Sequence, residues 1–146
     1  MSDFRQLSET FLASPQVTAE DIAEAAALGV TLVVNNRPDG ESPDQPPGAE
    51  IERAARAAGL DYLSIPIDQS GFSREQFEAL AEALDRTDGK TLGYCRSGTR
   101  STLLWALAQA SRGAEPGDLA SAAATAGYDL APIAPALDRL AASARQ

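Results

Sequence analysis

The sequence predicts an α/β fold with a central, mainly parallel sheet flanked by helices. Three observations predict it. Short apolar runs rich in β-branched residues alternate with helical stretches of about 10–15 residues, as strands do when crossover helices join them. The clearest run, "VTLVVN", is apolar almost throughout, as a strand covered on both faces should be. Several helical stretches open on capping residues and close on glycine.

Taken in order, "FLAS" (11–14) reads as a short strand. "TAEDIAEAAALG" (18–29) reads as a helix, with Thr18 as N-cap, Asp21 three residues on and Gly29 as the stop. "VTLVVN" (30–35) is a strand, and the Pro-, Gly- and acid-rich "NRPDGESPDQPPG" (36–48) is a long connection. "AEIERAARAAG" (49–59) is a second helix. "DYLSIPI" (61–67) is a strand that Pro66 pushes towards an edge or its end. "SREQFEALAEALDR" (73–86) has Ser73 as cap and Gln76 at the capping-box position. "TLGYC" (91–95) is the next strand and "STLLWALAQASR" (101–112) a mostly apolar, buried helix in which Trp105 packs as core. Two more helices are expected near 117–126 and 133–144, with Tyr128 and Asp129 opening the last helical region.

The length of 146 residues fits one domain, 1–146, whose core needs neither disulfide nor metal. With 21 acids against 12 bases the net charge is −9, which disfavours nucleic acid and anionic membranes as partners. The chain has no histidine and one cysteine, so no histidine base, no internal disulfide and no thiolate metal cage is expected, and no cofactor is called for. The start "MSDFRQLSETF" lacks a signal-peptide pattern, and no apolar run approaches a membrane span; the cytoplasm is the expected address.

That one cysteine, Cys95, ends a strand, and "RSGT" then leads into a helix at Arg100 or Ser101. In a parallel sheet, ligands bind beyond the carboxyl ends of the strands. Backbone N–H groups of Arg96, Ser97, Gly98 and Thr99, and of the first helical residues, lack helical partners and can converge into an anion-binding nest, reinforced by the helix dipole. Gly98 allows the curl, and Arg100 can grip an oxyanion with its planar fork. The same field favours the thiolate, the reactive form of cysteine. Residues 89–114 carry Lys90, Arg96, Arg100 and Arg112 and no acid, in a chain that is acidic elsewhere. A small anion is the expected substrate.

"YCRSGTRS" resembles the active loop of cysteine-based phosphatases and rhodaneses. Together with "VVNNRPDGE", "IPI" at 65–67 and "AGYDLAPIAPAL", it resembles the phosphatase-like domain of beta-lactamase-hydrolase-like proteins, within the tyrosine phosphatase superfamily. The resemblance runs from about Phe11 to Leu140 and implies a dual-specificity-phosphatase-like fold. The loop itself points elsewhere. Four residues separate Cys95 from Arg100, the spacing typical of rhodanese-type sulfurtransferases, where tyrosine phosphatases have five and a histidine in place of Tyr94.

The main expectation is therefore sulfur transfer through a Cys95 persulfide, taking thiosulfate or a persulfide and delivering sulfur to an external thiol such as glutathione or thioredoxin. The alternatives are phosphomonoester hydrolysis through a phosphocysteine, and a non-catalytic oxyanion or redox sensor. In either enzyme Cys95 is the nucleophile and Arg100 the anion clamp. Arg96 either adds charge at the rim or is a solvated loop arginine. Ser101 either steadies the thiolate or bonds backbone at the helix start. Asp68, after the strand "YLSIPI", is either a general acid or an exposed turn aspartate. Arg37 either binds the anion or pairs with Asp39 or Glu41.

Overall fold

The computed structural model describes residues 2–145. Its five strands are β1 (Arg5–Ser8), β2 (Phe11–Ser14), β3 (Val30–Asn35), β4 (Asp61–Ser64) and β5 (Lys90–Tyr94). They form one sheet in the order β1-β2-β5-β3-β4, parallel throughout except for β1, which pairs antiparallel with β2 at one edge. The expected mainly parallel sheet is thus present.

The helices are α1 (Ala19–Ala27), α2 (Gly48–Ala57), α3 (Arg74–Arg86), α4 (Thr99–Ser111), α5 (Pro116–Thr125) and α6 (Ala134–Ala144), with a 3-10 turn at Ala131–Ile133. Thr18 and Ser73 both form full capping boxes, with Asp21 and Gln76 bonding back to the cap N–H. Gly29 and Gly59 follow α1 and α2. The 61–67 strand is shorter than expected and stops at Ser64, two residues before Pro66, on the other sheet edge. The helix after the cysteine begins at Thr99, earlier than the expected Arg100 or Ser101, because Gly98 supplies the cap conformation. β1 has no counterpart in the sequence reading; of "RQLS" only Leu7 is buried.

Alternate strand residues feed two cores, one on each face. Leu12, Val33, Leu92 and Tyr94 face α1 and α2 with Ile22 and Ile51. Phe11, Leu32 and Val34 face the larger helical layer with Leu80, Leu104 and Trp105. The pairing of β3 with β5 shifts register between Val30 and Leu32, which puts both Val30 and Val33 on the α1/α2 side although they lie an odd three positions apart. α4 packs between α3 and α6, and Ser101 through Ala108 are all buried, as a helix apolar on every side requires. No helix among the described residues is long and apolar enough to cross a membrane.

Because β2, β3, β4 and β5 are parallel, their carboxyl ends share one edge of the sheet. Ladder bonds continue past the strands there: Asn36 N–H donates to Tyr94 O at 2.8 Å, and Ile65 N–H to Asn35 O at 2.9 Å. Cys95 follows the central strand at this edge.

Candidate active site

Cys95 is the first residue beyond β5 and is fully buried. Tyr94, before it, points into the α1/α2 core. The chain then curls through Arg96, Ser97 and Gly98 into α4. Gly98 has φ +93°, a left-handed conformation that an L-residue adopts only with strain. Its N–H donates to Cys95 Sγ at 3.1 Å. The N–H groups of Arg96, Ser97, Arg100 and Ser101 have no hydrogen-bond partner among the described residues, so they remain available to an anion. Ser97 and Thr99 are exposed and bond each other through their hydroxyls at 3.0 Å.

Arg100, in the first turn of α4, has five N–H donors. Nη1 donates to Glu41 Oε2 at 2.8 Å and to Ile67 O at 2.8 Å, and Nη2 donates to Glu41 Oε1 at 2.9 Å. Three donors are thus spent, and the two that remain, on Nε and Nη2, lie side by side as a second fork. Glu41 raises the Arg100 pKa above its ordinary value, and the neighbouring Cys95 sulfur adds to this. Reciprocally, the hydrogen bonds from Arg100, and after it Arg37, bring the Glu41 carboxyl down to about 2.

Glu41 is held by more than Arg100. Arg37 Nε donates to Glu41 Oε1 at 3.0 Å, while its Nη1 reaches Gln16 Oε1 at 3.0 Å and its Nη2 reaches Ser42 Oγ at 3.2 Å. Of the two alternatives for Arg37, anion ligand or ion-pair partner within its loop, the contacts are those of the second. The side chain is only 5% exposed and all its nitrogens are engaged within the protein, so it supports Glu41. Its partner is Glu41 and not Asp39, which instead accepts from Gly48 N–H.

The role expected for Ser101 changes as well. Its hydroxyl donates to Asn36 Oδ1 at 2.7 Å, and Asn36 Nδ2 in turn donates to Ile65 O at 2.9 Å. The one hydroxyl proton is therefore directed to Asn36 and away from the sulfur, so Ser101 ties α4 to the end of β3.

Asp68, Gln69, Glu41, Arg96 and Arg100 line one open depression of about 540 Å³. The structure thus brings Asp68 and Arg96 to the same rim as Arg100. Asp68 is exposed, and the hydroxyl and N–H of Ser70 both donate to its Oδ1, which holds its carboxyl below the ordinary range. Arg96 is exposed and makes no ion pair among the described residues.

Glu41 and Tyr128 are site-building residues that the sequence reading did not single out for this place. Glu41 was named only as a loop partner for Arg37. Tyr128 was read as opening the last helical region, yet its hydroxyl donates to Ser97 O at 3.1 Å, on the loop itself.

Known proteins resemble this chain in sequence and in fold. A family model described as the phosphatase-like domain of beta-lactamase hydrolase-like protein matches residues 3–112. A beta-lactamase hydrolase-like protein of Xylella fastidiosa (strain 9a5c) is 33% identical over 136 residues, covering 92% of this chain and 32% of that protein. One from Agrobacterium fabrum is 30% identical over 139 residues, 94% of this chain and again 32% of the relative. The chain therefore spans about a third of the length of the curated relatives it matches.

Among solved structures, a candidate phosphatase from Neisseria meningitidis Z2491 aligns with a TM-score of 0.83 at 29% identity, over 96% of this chain and 99% of that one. TpbA from P. aeruginosa, solved in complex with pTyr, aligns with a TM-score of 0.69 at 18% identity, over 99% and 91%. At that identity the likeness speaks for the fold alone. The fold is that of the tyrosine and dual-specificity phosphatases, and the domain is phosphatase-like and built around a cysteine loop. These matches favour the phosphatase alternative over sulfur transfer.

Proposed function

The chain belongs to the phosphatase-like domain family of beta-lactamase hydrolase-like proteins, and from that premise we propose that it hydrolyses phosphate monoesters through Cys95. The observation that carries the reading is the pairing of two features at the end of β5. A backbone N–H already rests on the sulfur, and Arg100 is clasped by Glu41 at one end so that its other fork stays unspent.

In this mechanism the Cys95 thiolate attacks phosphorus in line with the leaving oxygen. The unpaired loop N–H groups and the free Arg100 fork take the phosphoryl oxygens, whose charge they stabilise as the transition state forms. Asp68, at the rim of the depression, gives its proton to the departing oxygen. The phosphocysteine left behind is then opened by water, which yields inorganic phosphate and restores the thiolate. Arg96, exposed and unpaired, adds positive charge where the ester enters. Cys95 is closed to solvent in this state, so entry requires the 96–99 loop or the 36–48 connection to give way. The neighbour solved with pTyr makes an aryl phosphate the first probe.

The test is release of inorganic phosphate from phosphotyrosine and from p-nitrophenyl phosphate by the wild type and by Cys95→Ser. Turnover by the wild type alone supports the reading. Absence of turnover on both esters counts against it.

One observation favours the other chemistry. The loop between Cys95 and Arg100 has four residues, a cradle small enough for a single outer sulfur. Intact mass after exposure to thiosulfate separates the two, because sulfur transfer leaves one added sulfur on Cys95 that glutathione removes, and phosphate transfer leaves none.

A further inference from the structure

The peptide group joining Ser97 to Gly98 is held at both of its ends. Its N–H donates to Cys95 Sγ at 3.1 Å, and its C=O accepts from the Tyr128 hydroxyl at 3.1 Å. A peptide group is planar and stiff, so a hand on its oxygen sets the direction of its N–H. We propose that Tyr128 is a positioning residue for the reactive sulfur: it aims the Ser97–Gly98 peptide so that the N–H meets Cys95, and it strengthens that N–H as a donor.

Three further observations support the assignment. First, the loop is shaped to receive the phenol. A Cβ at Gly98 would overlap the Tyr128 hydroxyl, so the glycine serves both the curl of the loop and the approach of Tyr128. Second, Tyr128 is placed by elements outside the loop. Its N–H donates to Ala123 O at 2.8 Å at the end of α5, and its ring lies under the Arg5 guanidinium at 5.2 Å. Arg5 is in turn fixed by Asp3 and by Ala126 O. A phenol anchored this way holds its direction when the loop moves. Third, Tyr128 as a whole is only 9% exposed, which reduces the competition of water for its hydrogen bond.

The chemistry follows from polarisation. A donor on a carbonyl oxygen draws electron density from the amide and makes its N–H a better donor. A thiolate takes more from such an N–H than a neutral thiol does, because charge-assisted hydrogen bonds are the stronger kind. Tyr128 therefore favours the ionised sulfur without touching it. The other charged groups near the sulfur are Arg100 of α4, with Glu41 of the 36–48 loop on its far end, and Arg96 on the loop itself.

The inference rests on Cys95 being the reacting group, but its test reads the sulfur directly. Cys95 is the one cysteine in the chain, so ultraviolet absorbance of the thiolate, titrated against pH with Cys95→Ser as blank, reports that group alone. In Tyr128→Phe, with its own Cys95→Ser blank, the thiolate midpoint should move up by about 0.5–1 pH unit, which is about three- to tenfold less thiolate at a fixed lower pH. An unmoved midpoint in a folded variant overturns the proposal. Should Tyr128→Phe fail to fold, a fluorinated tyrosine placed at 128 gives the opposite sign. Its more acidic phenol is a better donor and should lower the midpoint, and no change would again refute the role. Neither readout involves turnover, so inactivity on every phosphate ester would sink the proposed function and leave this inference standing.

Discussion

Arg100 and Glu41 meet end to end across 59 residues of sequence, Nη1 at 2.8 Å from Oε2 and Nη2 at 2.9 Å from Oε1. The contact joins the first turn of α4 to the long connection after β3, and Arg37 completes it from below by bonding the same carboxylate. Its chemical effect is to fix which edge of the guanidinium faces inward.

Replacing Arg100 by lysine keeps the charge and discards both forks. In Arg100→Lys, kcat/KM for phosphotyrosine should fall by about 100-fold or more, the scale of losing a fixed donor to transition-state charge. Steady-state phosphate release measures it, and a variant within about threefold of wild type would remove Arg100 from the clamp role.

Glu41 should leave a signature in stability. Its carboxyl lies at about 2 in the folded chain against an ordinary 4.5, chiefly through the hydrogen bonds from Arg100. A carboxyl pKa lowered by folding contributes stability above pH 4.5 and loses it as the pH falls towards 2. The side chain keeps 27% of its exposure, and with solvent screening the contribution is about 1–2 kcal/mol. Urea unfolding should therefore show Glu41→Gln less stable than wild type at neutral pH, with the gap closing in acid. A gap that does not change with pH would contradict the clasp.

Asp68 bears on the pH profile of catalysis. Hydrogen bonds from Ser70 hold its carboxyl low, so the proton that the proposed acid role requires is present mainly in acid. In Ser70→Ala the limb of kcat that falls with rising pH should move to higher pH, and in Asp68→Asn kcat for alkyl phosphates should drop by about 100-fold. A Ser70→Ala profile that overlays the wild type would exclude Asp68 as the acid.

Gly98 tolerates no side chain on two counts. Its φ of +93° strains any L-residue, and a Cβ would overlap the Tyr128 hydroxyl. Gly98→Ala should cost about 2–4 kcal/mol of stability or displace the loop with loss of activity. Thermal melting together with phosphate release checks this, and an alanine variant that melts and turns over like wild type would contradict the need for glycine at 98.

The fold was legible where local chemistry is strong. Thr18 with Asp21, and Ser73 with Gln76, wrote their capping boxes into the sequence, and both form. "VTLVVN" was recognisable because a strand covered on both faces needs no polar alternation. β1 was not, because an antiparallel edge strand with Leu7 as its one buried residue has no such pattern.

The site divides along the same line. Cys95, the loop and Arg100 are neighbours in sequence, so their geometry could be anticipated. Glu41, Asn36 and Tyr128 reach their partners across 59, 65 and 31 residues. Nothing in the short-range pattern distinguishes them from a loop acid, a strand-end amide and a core aromatic. Ser101 shows the cost: the sequence offers its hydroxyl to the sulfur, and only the folded arrangement supplies Asn36 as its acceptor.

β5 runs through the middle of the sheet, with β2 on one side and β3 on the other. Its amides are therefore among the last to be released when the molecule opens locally, while β1 and β4 at the margins can fray first. The Cys95 sulfur hangs from the most durable thread of the structure, although the 36–48 connection that supplies Glu41 does not share that protection. Under gentle heating or mild denaturant, the clasp should let go well before the cradle does, and hydrogen exchange along the chain would record the two events as separate openings.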